Sequence, residues 1–388
     1  MKRILPGSLA LILIGFAYFF SLASGHVDRL LNRVEKPPPT APSEEANRLH
    51  ERLFIADLHC DALLWQRDLL KRARYGHVDV PRLIEANVAL QAFSVATKVP
   101  WRLNYNRNTG RTDVITLLVA AQRGPRSTWF SLSERALHQA REFHEAADRS
   151  AGRLVFVETS DDLRRYLIRR EQDRQVVAGI LTIEGLHALD GELDNIDALY
   201  EAGFRVMGPT HFFDNELGGS AHGVAKGGLT EFGRRAIERM EKFGIILDLA
   251  HASPRMVDDI LDMAKRPVLI SHTGVKGTCD HVRNVSDEHI VRIACTGGVI
   301  GIGFWEQAVC GTDAASIVRA IRHVSDLVGV DHVALGSDFD GAIRAIFDVT
   351  GLARITDALL ADRFTEDEIR KIMGANILRL FMESLPER

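Results

Sequence analysis

The chain has 388 residues, 46% hydrophobic and 26% charged, the make-up of a globular protein with ample apolar matter for one large core. A formal net charge of −4 supplies no basic field, which excludes nucleic acid as the natural partner and leaves a small molecule as the default. The four cysteines, Cys60, Cys279, Cys295 and Cys310, contain no Cys-x-x-Cys pair, so they read as packing residues rather than a disulfide framework or a cysteine metal knuckle.

Residues 1–25 open with Lys2 and Arg3, continue through an apolar run broken by Gly15 and Ser21, and end in Ser21-Leu22-Ala23-Ser24-Gly25. A charged start, apolar middle and small-residue end make a secretory signal. The alternative is an uncleaved membrane anchor, because from Ile4 the segment approaches the ~20 residues that cross a bilayer. In both cases the positive end stays cytoplasmic and the body is exported, to the periplasm or cell surface. Residues 26–42 read as a linker closed by Lys36-Pro37-Pro38-Pro39-Thr40-Ala41-Pro42, too stiff for helix or central strand. The folded domain is therefore expected over 43–388.

Within it, eight aliphatic runs alternate with helical patterns: 54–59, 88–97, 176–183, 205–208, 245–249, 267–271, 298–303 and 332–336. Ser253-Pro254 opens one helix, serine as cap and proline in the first turn, and Thr365-x-x-Glu368 is a capping box for the last, running towards Met382. The stretch 98–162, charged and holding Arg102, Arg107, Arg111, Arg123 and Arg126, reads as an insertion over the site with a solvated surface. Eight strands alternating with helices predict an α/β fold, a (β/α)8 TIM barrel forming a single catalytic domain behind the N-terminal signal or anchor. A doubly wound sheet is second, since no early glycine-rich phosphate turn is present.

Chemistry-bearing residues stand where these runs stop, the end at which a barrel keeps its site. His59 and Asp61 are two apart in Asp57-Leu58-His59-Cys60-Asp61, so on extended chain they share a side and can reach one ion, with Cys60 facing away. Glu184, His251, His272 and Asp338 follow at later strand ends. Three imidazoles and three carboxylates suit zinc or another divalent first-row ion. Six ligands can hold two ions about 3.5–4 Å apart, with Glu184, having two oxygens, as the natural bridge.

Asp57-Leu58-His59-Cys60-Asp61, His77-Val78-Asp79-Val80-Pro81-Arg82-Leu83, Glu184-Gly185, Thr210-His211, Asp248-Leu249-Ala250-His251, Ser271-His272-Thr273, Arg283-Asn284 and Ser337-Asp338-Phe339-Asp340-Gly341 together resemble the membrane dipeptidase (renal dipeptidase) family, peptidase M19, within the amidohydrolase-like barrels. The resemblance covers roughly residues 49–381. It implies a metallodipeptidase with two Zn2+ ions per chain that hydrolyses dipeptides, those with a C-terminal D-residue among the candidates, by attack of a metal-bridging hydroxide. It assigns His59, Asp61 and Glu184 to one ion, with Glu184 bridging to a second held by His251 and His272. It further implies that Asp338 moves the proton, His211 steadies the oxyanion and Arg283 grips the substrate carboxylate, to which a guanidinium fork is suited. Without the family Arg283 reads equally as a surface residue before a helix, and Asp340 can exchange roles with Asp338, alternate residues facing alike.

The chain departs from many relatives at Leu58 and Cys60, where they carry Gly and Asn, which would put these side chains on the pocket wall. It departs again at Phe304-Trp305, where relatives often show a tyrosine-containing loop. The first leaves the ligands unaffected; the second, together with the 98–162 insertion, bears on side-chain preference. Hydrolysis of another small amide or ester, such as an N-acyl amino acid, and a catalytically inactive surface-anchored binding protein are the competing readings. The expected partners are a dipeptide, a membrane through the leader and, by resemblance, a second copy in a homodimer.

Overall fold

The aliphatic runs become eight parallel strands in the computed structural model, which describes residues 15, 17–35 and 41–387. Most of the leader and five linker residues, 36–40, lie outside the described residues. The strands are β1 (Ile55–Cys60), β2 (Val88–Ala96), β3 (Val177–Glu184), β4 (Phe204–Gly208), β5 (Ile246–Leu247), β6 (Leu269–Thr273), β7 (Val299–Ile302) and β8 (Val333–Leu335). β1 to β5 pair in sequence order, as do β6 to β8. Single parallel bridges, Asp248 with Leu269 and Cys60 with Phe339, join the two sheets into a closed barrel. The register sets Ala96 beside Glu184 and Glu184 beside Gly208, so three strands finish at one level.

Helices form where the sequence supplies a cap. Ser43 Oγ accepts from Ala46 N at 3.1 Å and Ser253 Oγ from Met256 N at 3.1 Å, while Thr365 and Glu368 complete the expected capping box. Each such oxygen satisfies an amide with no partner inside the helix. The last helix is interrupted: Glu366–Arg370 and Asn376–Ser384 are joined by a wider turn at Lys371–Ala375. There Gly374 lies so close to β1 that a Cβ would stand 2.2 Å from the Phe54 carbonyl oxygen. Backbone contact with the barrel, which a capping box cannot report, decides that break.

The stretch 98–162 divides. Its five named arginines are exposed, as expected, but helix Leu132–Arg149 packs on the barrel and a short strand, Leu154–Phe156, pairs with β3. Phe143 is fully buried, its ring 5.0 Å from Phe93 and 5.4 Å from Phe156. Truncating it to Ala would cost about 3–5 kcal/mol through lost burial and the cavity left behind.

Helix Ser24–Leu31 and strand Arg33–Val34 dock on the barrel, the strand pairing in parallel with Arg344–Ala345. Among the described residues no helix is long and apolar enough to cross a membrane. Cys279 and Cys310, expected as packing residues, are joined as a disulfide with Cα atoms 5.4 Å apart. They are 31 residues apart, on loops after adjacent strands, a proximity that only the closed fold creates.

Candidate metal centre

His59 and Asp61 meet as their spacing predicts, Nε2 of His59 lying 3.4 Å from Oδ2 of Asp61. The same nitrogen is 3.8 Å from Glu184 Oε2 and 3.9 Å from Asp338 Oδ1. Glu184, the last residue of β3, stands between two groups of imidazoles. Its Oε2 is 3.4 Å from His251 Nε2 and 3.8 Å from His272 Nε2, and its Oε1 is 3.1 Å from His211 Nε2. Three overlapping clusters result, His59-Glu184-His272, Glu184-His211-His251 and His59-Asp61-Asp338, each with ligand atoms within 4.8 Å of one another. Glu184 belongs to two of them.

A set of supporting residues fixes these positions. Asp57 ties β1 to β8, accepting from Ser337 N at 2.8 Å, Ser337 Oγ at 2.6 Å and Gln91 Nε2 at 3.0 Å. Ser271 Oγ lies 2.8 Å from His272 Nδ1 and 3.4 Å from His59 Nδ1. Asp248 accepts from the amides of Ala250 and Ser271, at 3.0 and 2.9 Å, on either side of the turn that carries His251. His251 itself is left-handed, φ 62°. Gly185 is required: at φ 90°, a Cβ there would come within 2.2 Å of the His187 ring and 3.0 Å of His211 Cβ.

Burial and charge oppose each other throughout. Burial alone would depress His59, but Asp61, Glu184 and Asp338 more than offset it and raise its pKa to about 10. Burial pushes Asp338 up to about 8, Asp61 adding to it while His59 and Arg283 pull down. Glu184 is pushed well up by burial and then by Asp61. His211, His251 and His272 are driven down, mainly by burial, and stay neutral. Three carboxyl groups this far from solvent, beside three neutral imidazoles and His59, are costly to ionise together unless a further cation joins them. Three atoms aimed into the cluster, His59 Nε2, Asp61 Oδ1 and Glu184 Oε2, are buried without a hydrogen-bond partner among the described residues. An all-nitrogen and oxygen donor set with lone pairs converging is what a divalent ion fits.

Over the cluster lies a cavity of about 140 Å³, lined by Asp61, Glu184, His211, Arg283, Trp305 and Asp338 and walled by Leu64, Val99, Leu103, Phe212 and Ile343. Arg283 is buried, and its Nη2 donates to the His272 carbonyl at 2.7 Å. The reading of Arg283 as a surface residue is thereby excluded. Tyr105, from the 98–162 stretch, also lines the cavity; burial raises its phenol to about 12, with Asp338 adding to the effect. Nothing in the spacing of Tyr105 marked it.

Asp340 does not share the position of Asp338. Both residues are left-handed, φ 62° for Asp338 and 64° for Asp340, so the alternation of an extended chain fails. Asp340 is fully buried, accepts from the amides of His77 and Val78 at 2.7 and 3.0 Å and pairs with Arg67 at 2.6 Å. Arg67 and His77 hold its carboxyl far below the usual range although burial works the other way. The 77–83 motif is likewise structural: Asp79 caps helix Val80–Glu85, and Arg82 reaches Asp79 at 2.8 Å and Asp348 at 2.9 Å. Leu58 and Cys60, expected on the pocket wall, lie in two buried apolar clusters, Leu58 in the one that contains Leu380 and Phe381 of the last helix.

Residues 43–385 match the membrane dipeptidase family, peptidase family M19. Over 244 residues the chain is 32% identical to the uncharacterized dipeptidase C965.12 of Schizosaccharomyces pombe (strain 972 / ATCC 24843), a match taking in 60% of this chain and 58% of that one. The chain thus spans less than two thirds of that relative. Among solved structures, dipeptidase AC, a metallopeptidase of family M19, superposes with a TM-score of 0.69 at 25% identity, covering 86% of this chain and 99% of that one. A metallopeptidase from Rhodobacter sphaeroides, liganded with a phosphinate mimic of the dipeptide L-Ala-D-Ala, gives a TM-score of 0.70 at 25% identity over 86% and 99% of the two chains.

Proposed function

The chain belongs to the membrane dipeptidase family, peptidase family M19, and from that premise we propose that it hydrolyses dipeptides using two zinc ions held by His59, Asp61, Glu184, His251 and His272. The observation that carries the reading is the position of Glu184, whose Oε2 lies within 3.8 Å of Nε2 of His59, His251 and His272 beneath a cavity that also contains a buried arginine. Such ions, when bound, supply Lewis acidity and bring the pKa of a shared water towards neutrality. Asp338 accepts the proton of the attacking water and returns it to the leaving amine, a double role suited to a carboxyl whose pKa lies near working pH. His211, a neutral imidazole, donates from Nε2 to the oxygen that becomes negative in the tetrahedral intermediate. Arg283 binds the free C-terminal carboxylate, where its charge is not screened by solvent.

The small cavity and its apolar walls favour short aliphatic side chains. The L-Ala-D-Ala mimic bound by the Rhodobacter sphaeroides relative supports a D-residue at the C-terminal position. Export, to the periplasm or cell surface, is supported by the charged-apolar-small leader and by the Cys279–Cys310 disulfide, which belongs in an oxidising compartment. Attachment to a membrane would run through residues 1–25, and a homodimer rests on the family resemblance alone.

The test is hydrolysis of L,L and L,D dipeptides by the full chain as purified, after chelation and after zinc is returned. Activity lost with the metal and restored by zinc is expected. Arg283→Ala should raise KM sharply for dipeptides and leave any ester without a carboxylate unaffected. A folded, zinc-loaded chain that cleaves N-acyl amino acids but no dipeptide would overturn the reading, as would full activity without metal.

A further inference from the structure

The loop that leaves β8 holds three non-glycine residues in left-handed conformation: Asp338 at φ 62°, Asp340 at 64° and Ala342 at 60°. Such residues are strained and persist where the surroundings over-determine them. The same loop supplies Asp338 and a cavity wall, Gly341, Ala342 and Ile343. One side is held by the barrel, through the His77 and Val78 amides on Asp340. The other side is held by the N-terminal segment, where Asn32 bonds Ala342 from 310 residues away in sequence.

That segment grips the loop at successive points. Asp28 is buried and pairs with Arg67 Nε at 2.8 Å, while Nη2 of the same guanidinium pairs with Asp340 at 2.6 Å. Gly76 makes room for this bridge; at φ 72°, a Cβ there would stand 2.5 Å from the Arg67 guanidinium carbon. Asn32 donates to Asp28 at 2.8 Å and accepts from the Ala342 amide at 2.8 Å. Arg33 and Val34 pair in parallel with Arg344 and Ala345, and the Glu35 amide donates to the Ala345 carbonyl at 2.8 Å. A segment that only covered apolar surface would not require a buried Asp–Arg–Asp chain or an asparagine bonded to one strained amide. Asp28 and Asn32 are both about 1% exposed.

We infer that residues 28–35 are a strap that positions the active site, fixing loop 338–345 and with it Asp338 and the Gly341–Ala342–Ile343 wall. Asp28, Asn32 and Arg67 are positioning residues; none lines the cavity. The strap's effect on turnover rests on the role proposed for Asp338, whereas its effect on the loop does not. Any processing of the leader must then fall before Asp28.

The experiment compares the full chain with Asn32→Ala, Glu35→Pro and Asp28→Asn by amide hydrogen exchange, metal content and dipeptide kinetics. Glu35 is exposed and its substitution removes one amide donor, so that variant folds even where Asp28→Asn does not. Exchange within 338–345 should accelerate about 5- to 10-fold, the loss of one hydrogen bond, with β3 at its parent rate. kcat should fall by a similar factor, KM for small side chains should change less, and metal content should hold. Folded variants with parent exchange in 338–345 would overturn the strap, and faster exchange with unchanged kcat would overturn its role in positioning Asp338. Faster exchange in a chain that cleaves no dipeptide at all would support the strap's hold on the loop while rejecting the dipeptidase reading.

Discussion

Nε2 of His251 stands 3.0 Å from Nε2 of His272, and Glu184 Oε2 lies 3.4 Å from the first and 3.8 Å from the second. Burial keeps both rings neutral. One N–H between two imidazoles would satisfy that pair but leave the carboxylate oxygen without a donor. A shared cation satisfies all three. If the proposed pair of ions is bound, alanine at His251 or His272 should remove one of them by elemental analysis and cut turnover by more than the about 10- to 100-fold typical of losing an outer partner. Two ions retained by both variants would reduce the contact to an ordinary ring hydrogen bond.

Ser271 gives a finer test. Its Oγ has two lone pairs and lies near Nδ1 of His272 and of His59, proposed ligands on different strands. A hydroxyl in that place holds both rings with Nε2 turned to Glu184. Ser271→Ala should weaken metal affinity about 10- to 100-fold with little change in fold, measured by competition with a chelator. Unaltered affinity would mean that packing alone orients the rings.

The barrel and the residues gathered at its strand ends were legible because both depend on local period. The eight aliphatic runs fall within a few residues of the observed strands, and a strand end is the place where a side chain leaves the core. Where the local rule breaks, so does the reading. Asp340 departs because left-handed residues replace extended ones, and Gly374 breaks the last helix because a distant carbonyl meets it. Contacts made only by the closed fold left no trace in spacing: the Cys279–Cys310 bond, Tyr105 entering the cavity, and Asn32 reaching Ala342 across 310 residues. Fold-level proximity, not composition, creates these.

Asp338 should control the acid limb of activity. Burial first, then Asp61, raises it to about 8, with His59 and Arg283 opposing, and a cation beside it moves that value down. A base must be unprotonated, so kcat should rise with pH through a single ionisation below about 8. Asp338→Asn should lower kcat about 10²- to 10⁴-fold, remove that limb and leave metal content intact. An unchanged limb in the Asn variant would assign the ionisation to another group.

Far from the site, His50 should make stability depend on pH. It is buried, with Nδ1 2.8 Å from Thr356 Oγ1 and Nε2 3.2 Å from the Ala86 carbonyl, linking helix Glu44–His50 to helix Ala353–Ala361. Burial lowers its pKa from 6.5 to about 4, the Ala86 carbonyl opposing. Between those values the unfolded chain binds the proton and the folded chain does not, so stability falls as pH drops. His50 should therefore contribute fully above pH 6.5 and lose about 3 kcal/mol by pH 4. His50→Gln keeps a polar side chain without the ionisation, and its melting temperature should fall less steeply than the parent's from pH 7 to pH 4.5. Parallel melting curves for the two chains would show that His50 takes no part in the acid response.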